Sequence, residues 1–368
     1  ERAGPAVRLL ADALSASAEP PEVRAVAAIA ALYAGEDARA RRLAAQVVPA
    51  LAASERREFS EELARAAARL GRPDVTAWSY ALLLEGAATA AEWADAALRV
   101  ARFDLDRGDT TSAVSLLDEL LGRLPPGHPN HRAASALRIE ARAGVGPPDS
   151  AVRDLETHAR RYPDDRALAR LAAAVARAYV RAGDADSAEA VLDRFAPATV
   201  FDPRDEAAVD AVRARIDLDR GDWESAIRRL RFAAAALEGP ARTDAIRLAT
   251  LLEAATDAER TALARALRDV DAGRAGAAAA RVADLPATGA GARPGLLLWA
   301  AERVEGPQGD SLLVAIVRDH PAAPETPAAI LRYADRFARR GPDGVEEARA
   351  WLERLVLEYP ESALVPLA

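Results

Sequence analysis

The sequence predicts an all-α fold, a right-handed solenoid of about nine helix pairs. The first observation is a set of glycines that recurs every 36 to 38 residues through the first two-thirds of the chain. The second is that the segments between them carry apolar residues at helical spacing, as expected when helix pairs stack on their neighbours. The glycines are Gly35, Gly71, Gly108, Gly146, Gly183 and Gly221.

Each repeat is predicted to be a hairpin of a first helix, called helix A, and a second helix, called helix B. The clearest copies read ARFDLDRGDTTSAV from Ala101 and ARIDLDRGDWESAI from Ala214. In these copies the glycine is expected to end helix A in a left-handed turn, and the aspartate after it caps helix B. Alanines recur seven residues before and five residues after the glycine, where the two helices must approach closely. They are Ala28, Ala64, Ala101, Ala176 and Ala214 in helix A, and Ala113, Ala151, Ala188 and Ala226 in helix B.

The small residue of helix A, the glycine turn, the alanine of helix B and a proline twelve residues later resemble the tetratricopeptide repeat. Tyr179 occupies the aromatic position of that family four residues before its glycine, whereas Asp104 and Asp217 replace it in two other repeats. The resemblance implies a stack of helical hairpins that binds other proteins. The prolines are Pro125, Pro163 and Pro360.

The regular spacing ends after Gly221. Helical patterns follow at roughly 240–255, 257–272 and 275–285, which is one helix too many for simple pairing. A Gly- and Pro-rich stretch over 287–295 predicts a loop, and two further pairs follow at roughly 293–320 and 326–359. We therefore expect a main array over residues 1–286 and a C-terminal group of helix pairs over 287–368.

The last hairpin, EARAWLERLVLEYPESALVPLA, has a well-defined helix B followed by a Tyr-Pro break at Tyr359 and Pro360. It is similar to hairpins of tetratricopeptide proteins of the bacterial envelope. The resemblance implies a periplasmic or outer-membrane-associated protein that could belong to a membrane-associated complex, with the cytoplasm as the alternative location.

Composition excludes several kinds of chemistry. All 49 basic residues are arginines, and the chain has no cysteine or methionine. Without lysine there is no P-loop lysine or Schiff base, and without cysteine there is no thiolate nucleophile, thiolate metal site or disulfide. We expect no cofactor and no metal. The lack of Lys and Met, with Asn130 as the single asparagine, is typical of a GC-rich genome.

Charge and hydropathy exclude two further classes of partner. The net charge of −8 argues against nucleic-acid binding, which requires a basic surface. No run of about twenty apolar residues occurs, so no transmembrane segment is predicted. A protein partner is the expectation that remains.

The candidate binding residues lie six residues before the repeat glycines, on the side of helix A that lines the groove in the related family. Four of them are arginines, and Glu140 takes the place of the fifth. Guanidinium groups bind carboxylates through paired hydrogen bonds, so this row would suit an acidic or extended partner segment. The alternative is that the arginines are solvated or paired within the chain. The arginines are Arg65, Arg102, Arg177 and Arg215.

Other motifs are weaker. The two DLDRGD segments do not have the ligand spacing of a calcium loop, so their aspartates are expected to cap helices and to pair with Arg107 or Arg220. The loop histidines His128 and His131 have no predicted third metal ligand. Two alternatives to a binding scaffold stay open: a structural subunit that packs through its ends or convex face, and an enzyme with a site in the irregular region 271–310.

Overall fold

The computed structural model describes residue 12 and residues 20–87, 89–196, 202–286 and 291–367. The chain forms two units, residues 1–163 (unit 1) and residues 164–368 (unit 2). The helices of unit 1 are α1 (Pro21–Tyr33), α2 (Asp37–Val47), α3 (Ala53–Arg69), α4 (Pro73–Glu85), α5 (Ala90–Asp106), α6 (Thr110–Arg123), α7 (Pro129–Val145) and α8 (Pro148–Arg161). Those of unit 2 are α9 (Leu168–Ala182), α10 (Ala185–Phe195), α11 (Pro203–Arg220), α12 (Trp223–Ala236), α13 (Gly239–Ala254), α14 (Asp257–Asp271), α15 (Ala275–Ala283), α16 (Arg293–Ala301), α17 (Pro307–Asp319), α18 (Thr326–Ala338) and α19 (Pro342–Glu358).

Sequential helices pack as hairpins, so the described residues contain nine helix pairs and one additional helix. Unit 1 consists of the pairs α1–α2, α3–α4, α5–α6 and α7–α8. Unit 2 consists of α9–α10 and α11–α12, then α13, then α14–α15, α16–α17 and α18–α19. The all-α helical repeat is confirmed, and α13 is the extra helix that the sequence places at roughly 240–255.

The predicted turn is present in most repeats. Gly108 has φ +80°, a left-handed conformation that strains residues with a Cβ atom. The next residue, Asp109, accepts a hydrogen bond from the backbone N–H of Ser112 at 3.2 Å and so caps α6. Asp222 caps α12 in the same way, and its hydrogen bonds with Ser225 lower the pKa of this carboxyl.

Gly146 is the exception among the repeat glycines, because it does not adopt the left-handed turn. Its φ of −95° and ψ of 175° are extended backbone. The following residue is Pro147, and a proline confines the residue before it to extended conformations. The hairpin α7–α8 therefore turns through an extended Gly-Pro link, and α8 begins at Pro148 without a side-chain cap.

Alanine provides the close contact inside each hairpin. Ala101 and Ala113 of unit 1 and Ala214 and Ala226 of unit 2 are fully buried, as are the other alanines that the repeat pattern selects. A methyl group at these positions lets two helix axes approach to the short end of the usual range, about 8 Å. The two rows of alanines in the sequence therefore mark the contact between helix A and helix B.

The structure divides the chain into its two units between residues 163 and 164. The expected boundary near residue 287 stays a prediction. Residues 287–290 of the Gly- and Pro-rich stretch lie outside the described residues. One hydrophobic cluster of unit 2 contains both Leu263, before that stretch, and the fully buried Trp299, after it.

Candidate partner-binding surface

In unit 1 the predicted arginines lie on the helix A of consecutive hairpins. Arg65 of α3 donates a hydrogen bond to Glu62 at 2.8 Å, and Arg102 of α5 donates one to Glu140 of α7 at 3.3 Å. The Arg102–Glu140 pair joins two neighbouring positions of the predicted ladder. About half of each arginine side chain is nevertheless exposed, 56% for Arg65 and 54% for Arg102.

Glu61 connects the arginines of two hairpins. Its carboxylate lies 3.6 Å from the guanidinium of Arg65 on the same helix and 3.3 Å from that of Arg99 on α5. The glutamate is 17% exposed, whereas Arg99 is 53% exposed. The Glu61 carboxylate is therefore less exposed than the two guanidinium groups with which it pairs. In the same way, Glu140 is 19% exposed and pairs with the more exposed Arg102.

We call Arg65, Arg99 and Arg102 the guanidinium row of unit 1. Arg99 was not selected from the repeat pattern, although the sequence contains the signal for it. It precedes Arg102 by three residues, and residues at that spacing share one face of a helix. An arginine has five N–H donors, so the ion pairs with Glu61 and Glu140 leave donors of each guanidinium facing solvent.

In unit 2 the arginines at the corresponding repeat position, six residues before the turn glycine, differ from one another in exposure. Arg177 of α9 is an exposed residue. Arg215 of α11 is only 16% exposed, because its guanidinium is paired with Asp271 of α14. Beside that pair, Arg268 of α14 lies 3.4 Å from Asp219 of α11.

The helix α14 contacts α9 as well as α11, so it lies against the first helices of two consecutive hairpins. We call Arg215, Asp219, Arg268 and Asp271 the α11–α14 ion-pair cluster. Burial raises the pKa of the Asp219 carboxyl, and the charges of Arg268 and Arg215 oppose that shift. The cost of burying these charges is offset by pairing, as is usual for charges removed from water.

A small cavity lies between α3, α4 and α5, close to the guanidinium row. Its volume is about 40 Å³, and Glu61 and Arg99 are among its lining residues. The hydroxyl of Ser60 is buried there with no hydrogen-bond partner among the described residues. Buried polar cavities of this size ordinarily hold a few water molecules, so the exposed row above it is the better candidate surface.

The weaker motifs have roles inside the fold. Asp109 lies 3.7 Å from Arg107, as expected, but Arg220 pairs with Asp186 and Glu189 of α10 instead of with its own DLDRGD segment. The expected pairing of Arg220 is therefore wrong, because its long side chain reaches the preceding hairpin.

The two histidines that were expected in a loop also form hydrogen bonds within the chain, and the expectation is wrong for His131, which lies in the first turn of α7. His128 caps α7 by accepting the N–H of Asn130 at 3.1 Å, and His131 lies 3.0 Å from the hydroxyl of Tyr162. Across the described part of the chain, no group of three or more His, Cys, Asp or Glu side chains could hold a metal ion. No helix among the described residues is both long and apolar enough to cross a membrane.

Comparison with known proteins gives structural neighbours and no sequence relative. No protein-family model and no curated protein matches the sequence. The chain is similar to a tetratricopeptide repeat protein from Parabacteroides merdae, at 15% identity and a TM-score of 0.41, over 67% of this chain and 91% of that one. It is also similar to a signal-transduction ATPase with a tetratricopeptide repeat sensor from Pyrococcus horikoshii, at 14% identity and a TM-score of 0.40, over 96% of this chain and 54% of that one.

This chain thus spans about half the length of the ATPase. The assignment of the fold depends on the chain's own geometry, since the hairpins, their glycine turns and their aspartate caps follow the repeat along the sequence. With its buried alanine contacts, the chain is an all-α helical repeat whose hairpins resemble the tetratricopeptide repeat.

Proposed function

We propose that this chain is a non-catalytic scaffold for protein–protein interaction, and that the guanidinium row of unit 1 binds an acidic segment of a protein partner. The observation that carries the proposal is the difference in exposure within each ion pair. Each of the three arginines of the row is more than half exposed, whereas Glu61 and Glu140 are less than one-fifth exposed. Glu62, the other partner of Arg65, is 39% exposed. The exposed charge of these pairs is therefore mainly positive, although the chain as a whole has a net charge of −8.

The less exposed carboxylates also prepare the row for binding. Glu61 and Glu140 restrict the arginine side chains before a partner arrives, which lowers the conformational entropy that binding must cost. The donors that remain free can then form charge-assisted hydrogen bonds with carboxylates of the partner. Because these contacts are exposed, their strength is expected to fall as salt concentration rises.

The proposed setting is the bacterial envelope, at the periplasm or the outer membrane, and the cytoplasm is the alternative. The support for it is the Tyr-Pro hairpin at the end of α19. The hydroxyl of Tyr359 donates a hydrogen bond to the carbonyl of Pro321 at 2.8 Å, which fixes this break against the preceding Pro-containing turn.

A structural subunit of a larger complex is the second candidate. One observation favours it: Val345, Val356 and Leu357 of α19 are exposed apolar residues and line a shallow groove with Leu352. Exposed apolar surface of this kind is typical of packing interfaces.

A site in region 271–310 receives no similar support. Burial would raise the pKa of Glu302, but the hydrogen bond from Arg247 and the charges of Arg332 and Arg303 lower it overall. A general acid at neutral pH requires the opposite shift.

The test is a binding titration of the full chain with a short fluorescein-labelled peptide of alternating glutamate and serine, followed by fluorescence anisotropy. We expect the combined variant Arg65→Gln, Arg99→Gln and Arg102→Gln to lose about tenfold or more in affinity, since three charge-assisted contacts are removed. The matched control is Arg318→Gln, Arg339→Gln and Arg349→Gln, which makes the same change in charge at highly exposed positions of unit 2. Equal losses in both variants, or no loss in the first, would overturn the proposal.

A further inference from the structure

Unit 2 contains an internal example of a segment bound to the helix A side of this repeat. The helix α14 contacts both α9 and α11, which are the first helices of consecutive hairpins. Its residue Asp271 pairs with Arg215, the same repeat position that in unit 1 is occupied by Arg102. A carboxylate carried by a helix therefore occupies this arginine position within the protein itself.

The ion pairs between α11 and α14 are regularly spaced. Arg215 and Asp219 are one turn apart on α11, and they pair with Asp271 and Arg268, which are one turn apart on α14. The residue numbers of the paired residues rise along α11 and fall along α14, so the two helices run in opposite directions. Side chains one turn apart lie about 6 Å from one another on a helix surface, which sets the spacing that such a contact can use.

In the guanidinium row of unit 1, Arg99 and Arg102 are one turn apart on α5, as Arg268 and Asp271 are on α14. Arg65 and Arg99 both lie within 4 Å of the Glu61 carboxylate, so their guanidinium groups are close neighbours although they come from different helices. Arg102 is a further turn along α5 from Arg99. Carboxylates at positions i and i+4 of a helix match this row.

We propose that the partner segment of unit 1 is an α-helix with acidic residues one turn apart, laid on the row as α14 lies on α11. The proposal rests on the proposed function and names the conformation and the charge pattern of the ligand. The difference from unit 2 is that the row is more than half exposed, whereas Arg215 is 16% exposed beneath α14. The proposed helix belongs to a partner protein.

The experiment compares three synthetic peptides in titrations against the full chain at low salt. The first is an alanine-based helical peptide with glutamates at i and i+4. The second has the same glutamates and two central prolines, which prevent helix formation. The third is the helical peptide with glutamine in place of glutamate. Circular dichroism of the free peptides verifies which of them are helical.

We expect the helical glutamate peptide to bind about tenfold more tightly than the proline peptide, and Arg65→Gln with Arg99→Gln to remove that advantage. Equal or tighter binding of the proline peptide, still dependent on the row, would overturn the helical ligand and leave the proposed function standing. Binding of both glutamate peptides no tighter than the glutamine peptide would overturn the proposed function together with this inference.

Discussion

Arg102 in unit 1 and Arg215 in unit 2 occupy the same position of the repeat, six residues before the turn glycine, yet 54% of one side chain is exposed and 16% of the other. The hairpins that carry them are built alike, with a fully buried alanine directly before each arginine. What differs is the neighbour. Glu140 of the next hairpin supports Arg102 from beneath, whereas Asp271 of α14 covers Arg215.

The direction of these arginine side chains and their exposure to solvent have different causes. The repeat fixes the direction of a side chain, because the position relative to the turn glycine sets its face of helix A. Exposure depends on what else packs there, and in unit 2 this is α14, which follows the additional helix α13. A position that is equivalent in sequence is therefore exposed in one unit, where we propose that it binds a partner, and part of an internal contact in the other.

Charge reversal of Arg215 and Arg102 should give the largest difference in stability between the two units. Arg215→Glu would place a carboxylate against Asp271 and near Asp219, and we expect a loss of about 3 kcal/mol in the stability of unit 2, as for other broken buried pairs. Arg102→Glu removes an exposed pair, so the expected loss in unit 1 is below about 1 kcal/mol. Urea unfolding followed by circular dichroism, with hydrogen exchange of α11 and α14, measures both. Similar losses for the two variants would show that the two positions do not differ in burial as described.

Enlarging the hairpin alanines should have the next largest effect, and an equal one in both units. Ala101 and Ala214 are fully buried at the contact of helix A with helix B. Leucine at either position is expected to cost about 1 to 3 kcal/mol through overpacking. Thermal unfolding of Ala101→Leu and Ala214→Leu tests this. A much smaller loss for one variant would mean that its hairpin is packed less closely, and that the units differ in more than the surface of helix A.

The turn glycines offer a smaller comparison within unit 1. Gly108 has φ +80° with no atom within 4 Å of an added Cβ, so Gly108→Ala is expected to cost about 1 kcal/mol from backbone strain alone. Gly146 has a negative φ, and an added Cβ would lie 3.2 Å from the carbonyl of Arg142. We expect Gly146→Ala to cost less than Gly108→Ala when the unfolding midpoints are compared. The reverse order would contradict the assignment of the two turns.

The smallest expected effect depends on pH and is confined to unit 1. Burial lowers the pKa of His131, and the charges of Arg161 and Arg138 lower it further. The unfolded chain, with a pKa of about 6.5 for histidine, then binds the proton more readily than the folded chain. The stability from His131 is fully present above that value and is lost as pH falls toward the lower pKa of the folded state.

The measurement is hydrogen exchange of α7 at pH 7.5 and 5.5, corrected for the intrinsic dependence of exchange on pH. We expect the wild type to lose less than about 1 kcal/mol of protection at the lower pH, because the site is partly exposed. His131→Gln should lose less than the wild type, and exchange in unit 2 should be the same in both proteins. Identical pH dependence of α7 in the two proteins would contradict the shift in the pKa of His131.

Much of the fold could be predicted because its signals are local. The turn at Gly108, the cap at Asp109 and the contact of Ala101 with helix B all depend on a few residues in sequence, and the structure confirms each of them. The extended link at Gly146 was also within reach of the sequence, since Pro147 follows it. Repetition made these local signals strong, because the same unit occurs several times.

The tertiary structure decided which arginines face solvent. The sequence by itself determined the helix pairs, the extra helix near residue 240 and the side of helix A on which Arg102 and Arg215 lie. It did not determine that α14 packs on α9 and α11, or that Arg220 reaches Asp186 of the preceding hairpin. The physical reason is distance along the chain. Arg215 and Asp271 are 56 residues apart, and no local pattern of residues predicts a contact between residues so far apart in sequence.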